Sequence, residues 1–243
     1  VYDFALVNII DNKKLNDKVY FYTNEYVQNN SSILEIVRDM ETYTLLDLFI
    51  EICQSINYLH LKGVIYSDID LSNIVASNIL YNNKKCVKFK DIATVELEKQ
   101  GFWKEKSSQN YFKAPEILEG QKCSVLSDIY SLGILLFIIY IKSRNYNFDF
   151  FEESKEPNEW KLQEIFNDNK DFNITFKNII KKMTHSDPSK RYENISELVM
   201  DINTCFHKQY VPYRKEEIEK LNFNLKMIGR EEEIYKITDI RSE

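Results

Sequence analysis

Two carboxylates and one amide are the residues whose types and spacing could do chemistry. Asp68 and Asn73 lie in D-x-x-x-x-N spacing, and Asp91 follows in the next apolar segment, KFKDIA. Phosphoryl transfer from ATP uses such a set: one carboxylate orients the acceptor hydroxyl and accepts its proton, while an amide and a second carboxylate hold Mg²⁺ against the phosphates. The D-x-x-x-x-N pattern alone is equally typical of a solvated turn, because Asp and Asn are common loop residues.

Three further motifs follow in order and favour the catalytic interpretation. They are Ala114-Pro115-Glu116, Asp128-Ile129-Tyr130-Ser131-Leu132-Gly133 and Asp187-Pro188-Ser189-Lys190-Arg191-Tyr192. With the loop at Asp68 and a DFG-like site at Asp91, the series resembles the C-terminal lobe of the protein kinase family. The resemblance covers roughly residues 1–208. It implies an α+β, protein kinase-like fold: mostly the α-helical C-lobe, with a remnant of the N-lobe sheet.

The resemblance implies a role for each position that matches a catalytic motif. Asp68 matches the catalytic base, Asn73 the metal-binding asparagine and Asp91 the aspartate that chelates Mg²⁺. The implied cofactors are ATP and Mg²⁺, and the implied partner is a protein substrate phosphorylated on Ser or Thr hydroxyls.

Supporting roles follow from the same resemblance. Glu116 matches the glutamate of the APE motif and Arg191 the arginine that pairs with it, a structural pair expected to be largely buried. Asp128 resembles the helix-anchored carboxylate that accepts backbone N–H groups of the catalytic loop, again as support.

The segment Glu25-Tyr26-Val27 resembles the hinge whose backbone binds adenine. A plain strand end is the alternative interpretation of the same three residues. Its distance from the loop at Asp68 favours the hinge.

Several positions depart from the family pattern. Ser67 stands where an arginine normally pairs with an activation-loop phosphate, Tyr66 replaces the histidine before it, and Ala93 replaces the DFG glycine. Asp70 replaces a lysine that neutralises the γ-phosphate. A like charge about 4 Å from a phosphate oxygen could cost roughly 4 kcal/mol at an effective dielectric constant of 20, unless the side chain turns toward solvent or Mg²⁺ screens it.

These departures leave open more than one functional class. The first is an active protein serine/threonine kinase, and the second is a catalytically impaired pseudokinase that docks or regulates partners. A small-molecule kinase of the aminoglycoside phosphotransferase type shares the D-x-x-x-x-N loop, but that family does not carry the three downstream motifs.

The apolar pattern predicts the elements that must position these residues. Strands are expected at residues 1–10 and 19–27, and short strands within 64–92 on either side of YNNKK. Apolar residues at spacings of three and four predict a helix over 42–61, which Gly63 should end. A loop is expected over 93–113, with Ser107, Ser108 and Tyr111 as conceivable phosphorylation sites or solvated loop residues. Helices are expected at 126–142, 159–167, 172–184 and 193–207.

Composition narrows the possible partners and location. The chain has 243 residues and a formal charge of −6, which argues against a general electrostatic grip on nucleic acid. Its longest apolar run, residues 132–141, is about half of the roughly 20 residues that a membrane span requires. Four dispersed cysteines predict structural thiols in a reducing, cytoplasmic setting rather than disulfides or a metal site.

Both ends of the sequence suggest a longer protein. Five widely spaced glycines cannot form a phosphate-binding glycine loop, so we expect that loop to precede Val1. Residues 225–234, LKMIGREEEI, resemble the opening of an AAA-type ATPase domain, the alternative being a charged surface helix. The predicted organisation is an N-lobe remnant and hinge at 1–30, a kinase-like C-lobe at 31–208, and a linker with the start of a possible ATPase domain at 209–243.

Overall fold

The computed structural model describes residues 6–11, 18–22, 30–81, 84–89, 110–145 and 173–213. All of them fall within one unit of the chain, Tyr2–Tyr213, while Val1 and residues 214–243 make up the other unit and lie outside the described residues. The predicted helix at 159–167 also lies outside them. The described part is mostly helical, as expected for the kinase-like fold.

The strands form two small antiparallel sheets. Strands β1 (Leu6–Asp11) and β2 (Lys18–Tyr22) pair with each other. Strands β3 (Asn30–Ser32), β4 (Ile74–Tyr81) and β5 (Lys84–Phe89) form the second sheet, in the order β3-β4-β5. The expected strands on either side of YNNKK are therefore β4 and β5, and β4 begins immediately after Asn73.

Helix α1 (Ile33–Ile36) is a single turn, and helix α2 (Thr42–Leu61) is the long helix that the sequence predicts. The apolar residues that define its period are all buried: Leu45, Phe49, Ile52, Ile56 and Leu59. Helix α2 packs against the later helices of the chain, so its apolar stripe joins the common core.

Gly63 ends helix α2 as predicted. Its φ of 74° lies in the left-handed region, which a residue without a Cβ adopts at little cost. The Gly63 N–H bonds to the His60 carbonyl at 2.9 Å, and the Val64 N–H bonds to the Leu59 carbonyl at 2.9 Å. These bonds satisfy carbonyls that the helix end would otherwise leave open, and they direct the chain into the loop that carries Asp68.

Helix α3 (Pro115–Leu118) is short, and helix α4 (Val125–Ser143) runs through the centre of the core. A reciprocal pair of bonds between Ser124 and Ser127 caps the start of α4. Its length and composition would allow it to cross a membrane, but 83% of the relevant stretch is buried inside the fold. Protein therefore already covers its apolar surface.

Helices α5 (Ile174–Met183) and α6 (Ile195–Phe206) complete the described core. Asparagine side chains at positions 173 and 194 accept backbone N–H groups and cap their first turns. The predicted spans of 172–184 and 193–207 are confirmed to within two residues at each end. Helix α5 packs against α4, and α6 packs against α2.

Gly133 marks the close approach of α4 to α5. A Cβ at this position would lie 2.7 Å from Met183 Cβ and 2.7 Å from Thr184 Cγ2. Alanine would gain about 1 kcal/mol from helix propensity, but overpacking of a filled core costs about 1–3 kcal/mol. We expect Gly133→Ala to lower the free energy of unfolding in a urea titration. The exposed substitution Lys142→Ala on the same helix should change it by about 0.5 kcal/mol or less. Equal or greater stability of Gly133→Ala would show that the two helices are free to separate.

Candidate active site

The loop of residues 64–73, which we call the catalytic-loop segment, joins α2 to β4. Tyr66 and Ile69 are buried at 1% and 2% exposure and anchor the segment in the core. Ser67, between them, has a φ of 62°, an unfavourable left-handed conformation for a residue with a Cβ. This turn and its buried neighbours leave Asp68 only partly buried, which keeps its carboxylate accessible from outside the core.

Asp68 and Asn73 are brought together by the fold. Asn73 Nδ2 donates to Asp68 Oδ2 at 2.6 Å and to the Asp68 backbone carbonyl at 3.1 Å. Both partners are acceptors, so only the NH₂ end of the amide can face them. Asn73 thereby holds one oxygen of the Asp68 carboxylate in place and links the two ends of the D-x-x-x-x-N spacing.

Asp128, in the first turn of α4, holds the backbone of the same segment. Its Oδ2 accepts the Tyr66 N–H at 2.9 Å, and its Oδ1 accepts the Ser67 N–H at 2.9 Å. The residue is only 1% exposed, and charge-assisted bonds of this kind offset the cost of burying a carboxylate. These two bonds stabilise the strained conformation of Ser67 directly before Asp68.

His60 also belongs to this site, although the sequence analysis gave it no role. Its Nε2 lies 2.8 Å from Asp128 Oδ2, and its side chain is only 6% exposed. Because the carboxylate is an acceptor, Nε2 must be the donor. His60 Nδ1 has no hydrogen-bond partner within the described part of the chain. The only signal in the sequence is a polar ring in the last turn of a helix that leads into the loop.

Asp70 has a structural task inside the segment. Its Oδ1 accepts the Ser72 N–H at 2.7 Å and caps the 3₁₀ turn Leu71–Asn73, and the residue is 9% exposed. This is a common use of an aspartate at the start of a helical turn. The side chain therefore binds within its own loop instead of turning toward solvent, which was the arrangement expected to relieve a clash with phosphate.

Tyr66 connects the segment to β5. Its ring meets the ring of Phe89 edge to face, with 5.2 Å between centroids. Phe89 is the last residue of β5, two positions before Asp91. Asp91 and the predicted hinge residues Glu25, Tyr26 and Val27 lie outside the described residues.

Glu116 and Arg191 form a buried, two-pronged ion pair. Arg191 Nη1 lies 2.7 Å from Glu116 Oε1, and Nη2 lies 2.8 Å from Oε2. The guanidinium group also donates to the carbonyls of His185, Leu126 and Ser186. The Glu116 side chain is 9% exposed and the Arg191 side chain is 0% exposed, so neither charge has much contact with water. The ion pair joins α3 to the loop before α6. Both residues come later in the sequence than Asp68.

Tyr111 differs from both interpretations offered for it. It lies in the 3₁₀ turn Asn110–Phe112 and is 6% exposed, so it is neither a solvated loop residue nor open to a modifying enzyme in this conformation. Burial, and then the negative charge of Asp70, raise the pKa of Tyr111 well above its usual range. The phenol therefore stays neutral beside the catalytic-loop segment, while Ser107 and Ser108 lie outside the described residues.

The donor set at Asp68 and Asn73 suits Mg²⁺. Magnesium prefers oxygen ligands and is usually held by one or two carboxylates together with substrate phosphates and water. Asn73 Nδ2 faces Asp68, so the amide oxygen Oδ1 is the atom of Asn73 that remains to coordinate a cation. Among the described residues, no group of three or more His, Cys, Asp or Glu side chains could hold a metal ion.

The sequence of the chain matches the model of a known protein family. The sequence model of the protein kinase domain matches residues 4–211 of the chain. That span includes both sheets, all the described helices and each candidate site residue.

Individual relatives are similar over shorter or more divergent stretches. Serine/threonine-protein kinase PknD of Protochlamydia amoebophila is 26% identical over 200 residues, 75% of this chain and 20% of the relative. Serine/threonine-protein kinase ppk34 of Schizosaccharomyces pombe is 36% identical over 95 residues, 37% of this chain and 25% of the relative. Probable serine/threonine-protein kinase mkcF of Dictyostelium discoideum is 32% identical over 93 residues, 38% of this chain and 13% of the relative. The chain thus matches no more than a quarter of the length of these relatives.

The buried ion pair predicts an asymmetric response to substitution. Arg191→Met strands the Glu116 carboxylate and removes the bonds to three carbonyls, so we expect a loss of about 3–5 kcal/mol in the free energy of unfolding. Glu116→Leu should cost less, because the guanidinium group keeps those carbonyl partners. The double variant should recover part of the loss relative to the sum of the single variants.

Urea unfolding of the two single variants and the double variant measures this coupling. Lys182 and Glu197 provide a control pair, because their side chains are 40% and 39% exposed and lie 2.9 Å apart. Lys182→Met should cost about 1 kcal/mol or less. Strictly additive effects of Arg191→Met and Glu116→Leu would show that the buried pair contributes no specific interaction.

Proposed function

This chain belongs to the protein kinase family, and we propose that it transfers the γ-phosphate of Mg-ATP to Ser or Thr hydroxyls of protein substrates in signal transduction. One observation carries the proposal: the Asp68 carboxylate is held by Asn73 at 2.6 Å, on a loop whose backbone Asp128 holds. The names of the relatives, all serine/threonine kinases, support the choice of acceptor.

In this proposal Asp68 is the catalytic residue that meets the acceptor. Its carboxylate accepts a hydrogen bond from the substrate hydroxyl and aims the oxygen at the γ-phosphorus. It takes the proton as the new P–O bond forms and the bond from the γ-phosphorus to the bridging oxygen breaks, with ADP as the leaving group. Asn73 fixes one carboxylate oxygen and so restricts rotation of the side chain. Asp128 acts one step further away, because it holds the backbone that carries Asp68, and His60 in turn binds Asp128.

Asn73 and Asp91 are the residues proposed to hold Mg²⁺. The ion would supply positive charge where negative charge is concentrated on the transferred phosphate. Asn73 offers its amide oxygen from the rigid 3₁₀ turn Leu71–Asn73. Asp91 follows β5, whose register places Phe89 opposite Ile74, the residue after Asn73. That pairing supports a common location for the two ligands.

The adenine-binding hinge is proposed at Glu25, Tyr26 and Val27, with β1 and β2 as the remnant of the N-lobe sheet. The antiparallel pairing of β1 with β2 directly before this segment supports the proposal. The family match beginning at residue 4 supports it as well.

A downstream domain is the proposed partner within the same protein. The family match ends at residue 211, and residues 225–234 carry the resemblance to an AAA-type ATPase opening. We further propose a cytoplasmic location, because the four cysteines are widely dispersed in the sequence, as is typical of structural thiols in a reducing compartment.

The substitution Asp68→Asn tests the proposed base. It keeps the volume of the side chain and removes the proton acceptor, so transfer should fall by about a hundredfold or more. The measurement is incorporation of labelled phosphate from Mg-ATP into a generic protein substrate by the longest natural chain that contains this sequence. Equal labelling by the variant would remove Asp68 from the mechanism.

The substitution Asp70→Asn makes the same chemical change two residues away and serves as the comparison. Asparagine is as good a cap as aspartate for the Ser72 N–H, so the loop should keep its shape. Because this carboxylate is engaged in the cap, we expect the labelling rate to change by less than about tenfold. A rise of about a thousandfold would mean that the Asp70 charge opposes the phosphate after all.

A further inference from the structure

The segment that follows α6 crosses back over helix α2. We call residues 208–213 the strap. Asn203, on α6, fixes the start of the strap: its Oδ1 accepts the Tyr210 N–H at 2.7 Å, and its Nδ2 donates to the Tyr210 carbonyl at 2.8 Å. The Lys208 N–H also bonds to the Asn203 carbonyl, at 3.1 Å. The strap is therefore held in one conformation before it reaches α2.

Three side chains of α2 bind the strap at successive points. The Tyr210 hydroxyl donates to Asp47, Gln54 Nε2 donates to the Val211 carbonyl at 2.7 Å, and Asn57 Nδ2 donates to the Pro212 carbonyl at 2.9 Å. Burial, and then the hydrogen bond to Asp47, raise the pKa of Tyr210 well above its usual range, so the hydroxyl keeps its proton. From Asp47 to Asn57 the helix rises about 15 Å, so the strap is fastened along half of α2.

The last of these contacts lies next to the active-site network. Asn57 is 4% exposed, and a buried amide needs its hydrogen bond. His60 follows three residues later, which makes the two side chains neighbours on the helix surface. His60 Nε2 bonds to Asp128, and Asp128 accepts the N–H groups of Tyr66 and Ser67. The final turns of α2 thus bind both the strap, through Asn57, and Asp128, through His60.

We propose that the strap is a positioning element for the catalytic-loop segment and acts through the C-terminal turns of α2. The strap binds those turns through Asn57, and Asp128 binds the neighbouring His60. The chain continues from Tyr213 directly into residues 214–243. The effect on loop geometry stands independently of the proposed function, whereas the effect on catalysis rests on it.

The substitution Gln54→Glu is the sharpest test, because it preserves shape and turns a donor into an acceptor that faces the Val211 carbonyl. Gln54 is partly exposed, so the new charge is not trapped in the core. Gln121→Glu, on an exposed loop, makes the same change in charge and serves as the control. Gln54→Lys restores a donor and should behave like the unaltered chain. Tyr210→Phe removes only the hydroxyl donated to Asp47 and tests the strap at a second point.

The measurement is hydrogen exchange of backbone amides in the chain of residues 1–243. In Gln54→Glu and in Tyr210→Phe, we expect about fivefold faster exchange at Tyr210 in the strap and at Tyr66 and Ser67 in the loop. Core amides of α4 should be unchanged, and Gln121→Glu and Gln54→Lys should show no effect.

Three results would overturn the proposal. Faster exchange confined to the strap would make it a locally packed tail, and unchanged exchange in the strap would show that these bonds do not hold it. A uniform increase that includes α4 would indicate general destabilisation.

A kinetic measurement adds the link to catalysis. In a natural chain that phosphorylates substrate, Gln54→Glu should lower kcat by about fivefold with KM unchanged, because the base is misplaced while binding is retained. Unchanged kcat alongside faster loop exchange would overturn the positioning role. An inactive unaltered protein would instead contradict the proposed function and leave the exchange result to decide the structural claim.

Discussion

The buried carboxylate of Asp128 is the interaction on which the site depends. Its two oxygens bind the backbone N–H groups of Tyr66 and Ser67, and one of them also binds His60. A charge that is 1% exposed would be unfavourable without these donors. The two backbone donors in turn belong to a loop that would not hold a φ of 62° at Ser67 without the carboxylate. The hydrogen bonds offset both the burial of the charge and the strain of the backbone. They thereby fix the position of the residue that comes next, Asp68.

Helix α4 can play this part because the rest of the fold holds it. Arg191 bonds to the Leu126 carbonyl at the start of α4 while it pairs with Glu116, and Ser131 Oγ donates to the Phe112 carbonyl at 2.7 Å. The motifs downstream of Asp68 therefore converge on the first turns of one helix. Their presence together in one sequence has a physical basis, since each motif either binds α4 or binds a segment that does.

Local sequence patterns predicted the helices and strands well. The features that the sequence did not predict depend on contacts between distant residues. The period of apolar residues in α2 and the glycine at its end are signals carried within about 20 residues, and both elements formed as expected. His60 and the strap depend on partners 68 and 157 residues away, as in the bonds to Asp128 and from Gln54 to Val211. No periodicity encodes such pairings. The burial of Tyr111 was missed for the same reason, because its 3₁₀ turn packs against helix α4, which is distant from that turn in local pattern.

Within the site, the positions Asp68, Asn73 and Asp128 were found from their motifs, but not the geometry that joins them. The departures from the family pattern are better understood once that geometry is known. Asp128 binds N–H groups of the backbone, which any residue at 66 or 67 supplies, so Tyr66 and Ser67 can replace a histidine and an arginine without releasing the loop. Asp70 likewise supplies a cap that a lysine could not, because a lysine has no acceptor for the Ser72 N–H. At residues 66 and 67 the loop is thus held by bonds to its main chain, and the Asp70 side chain holds the turn that follows.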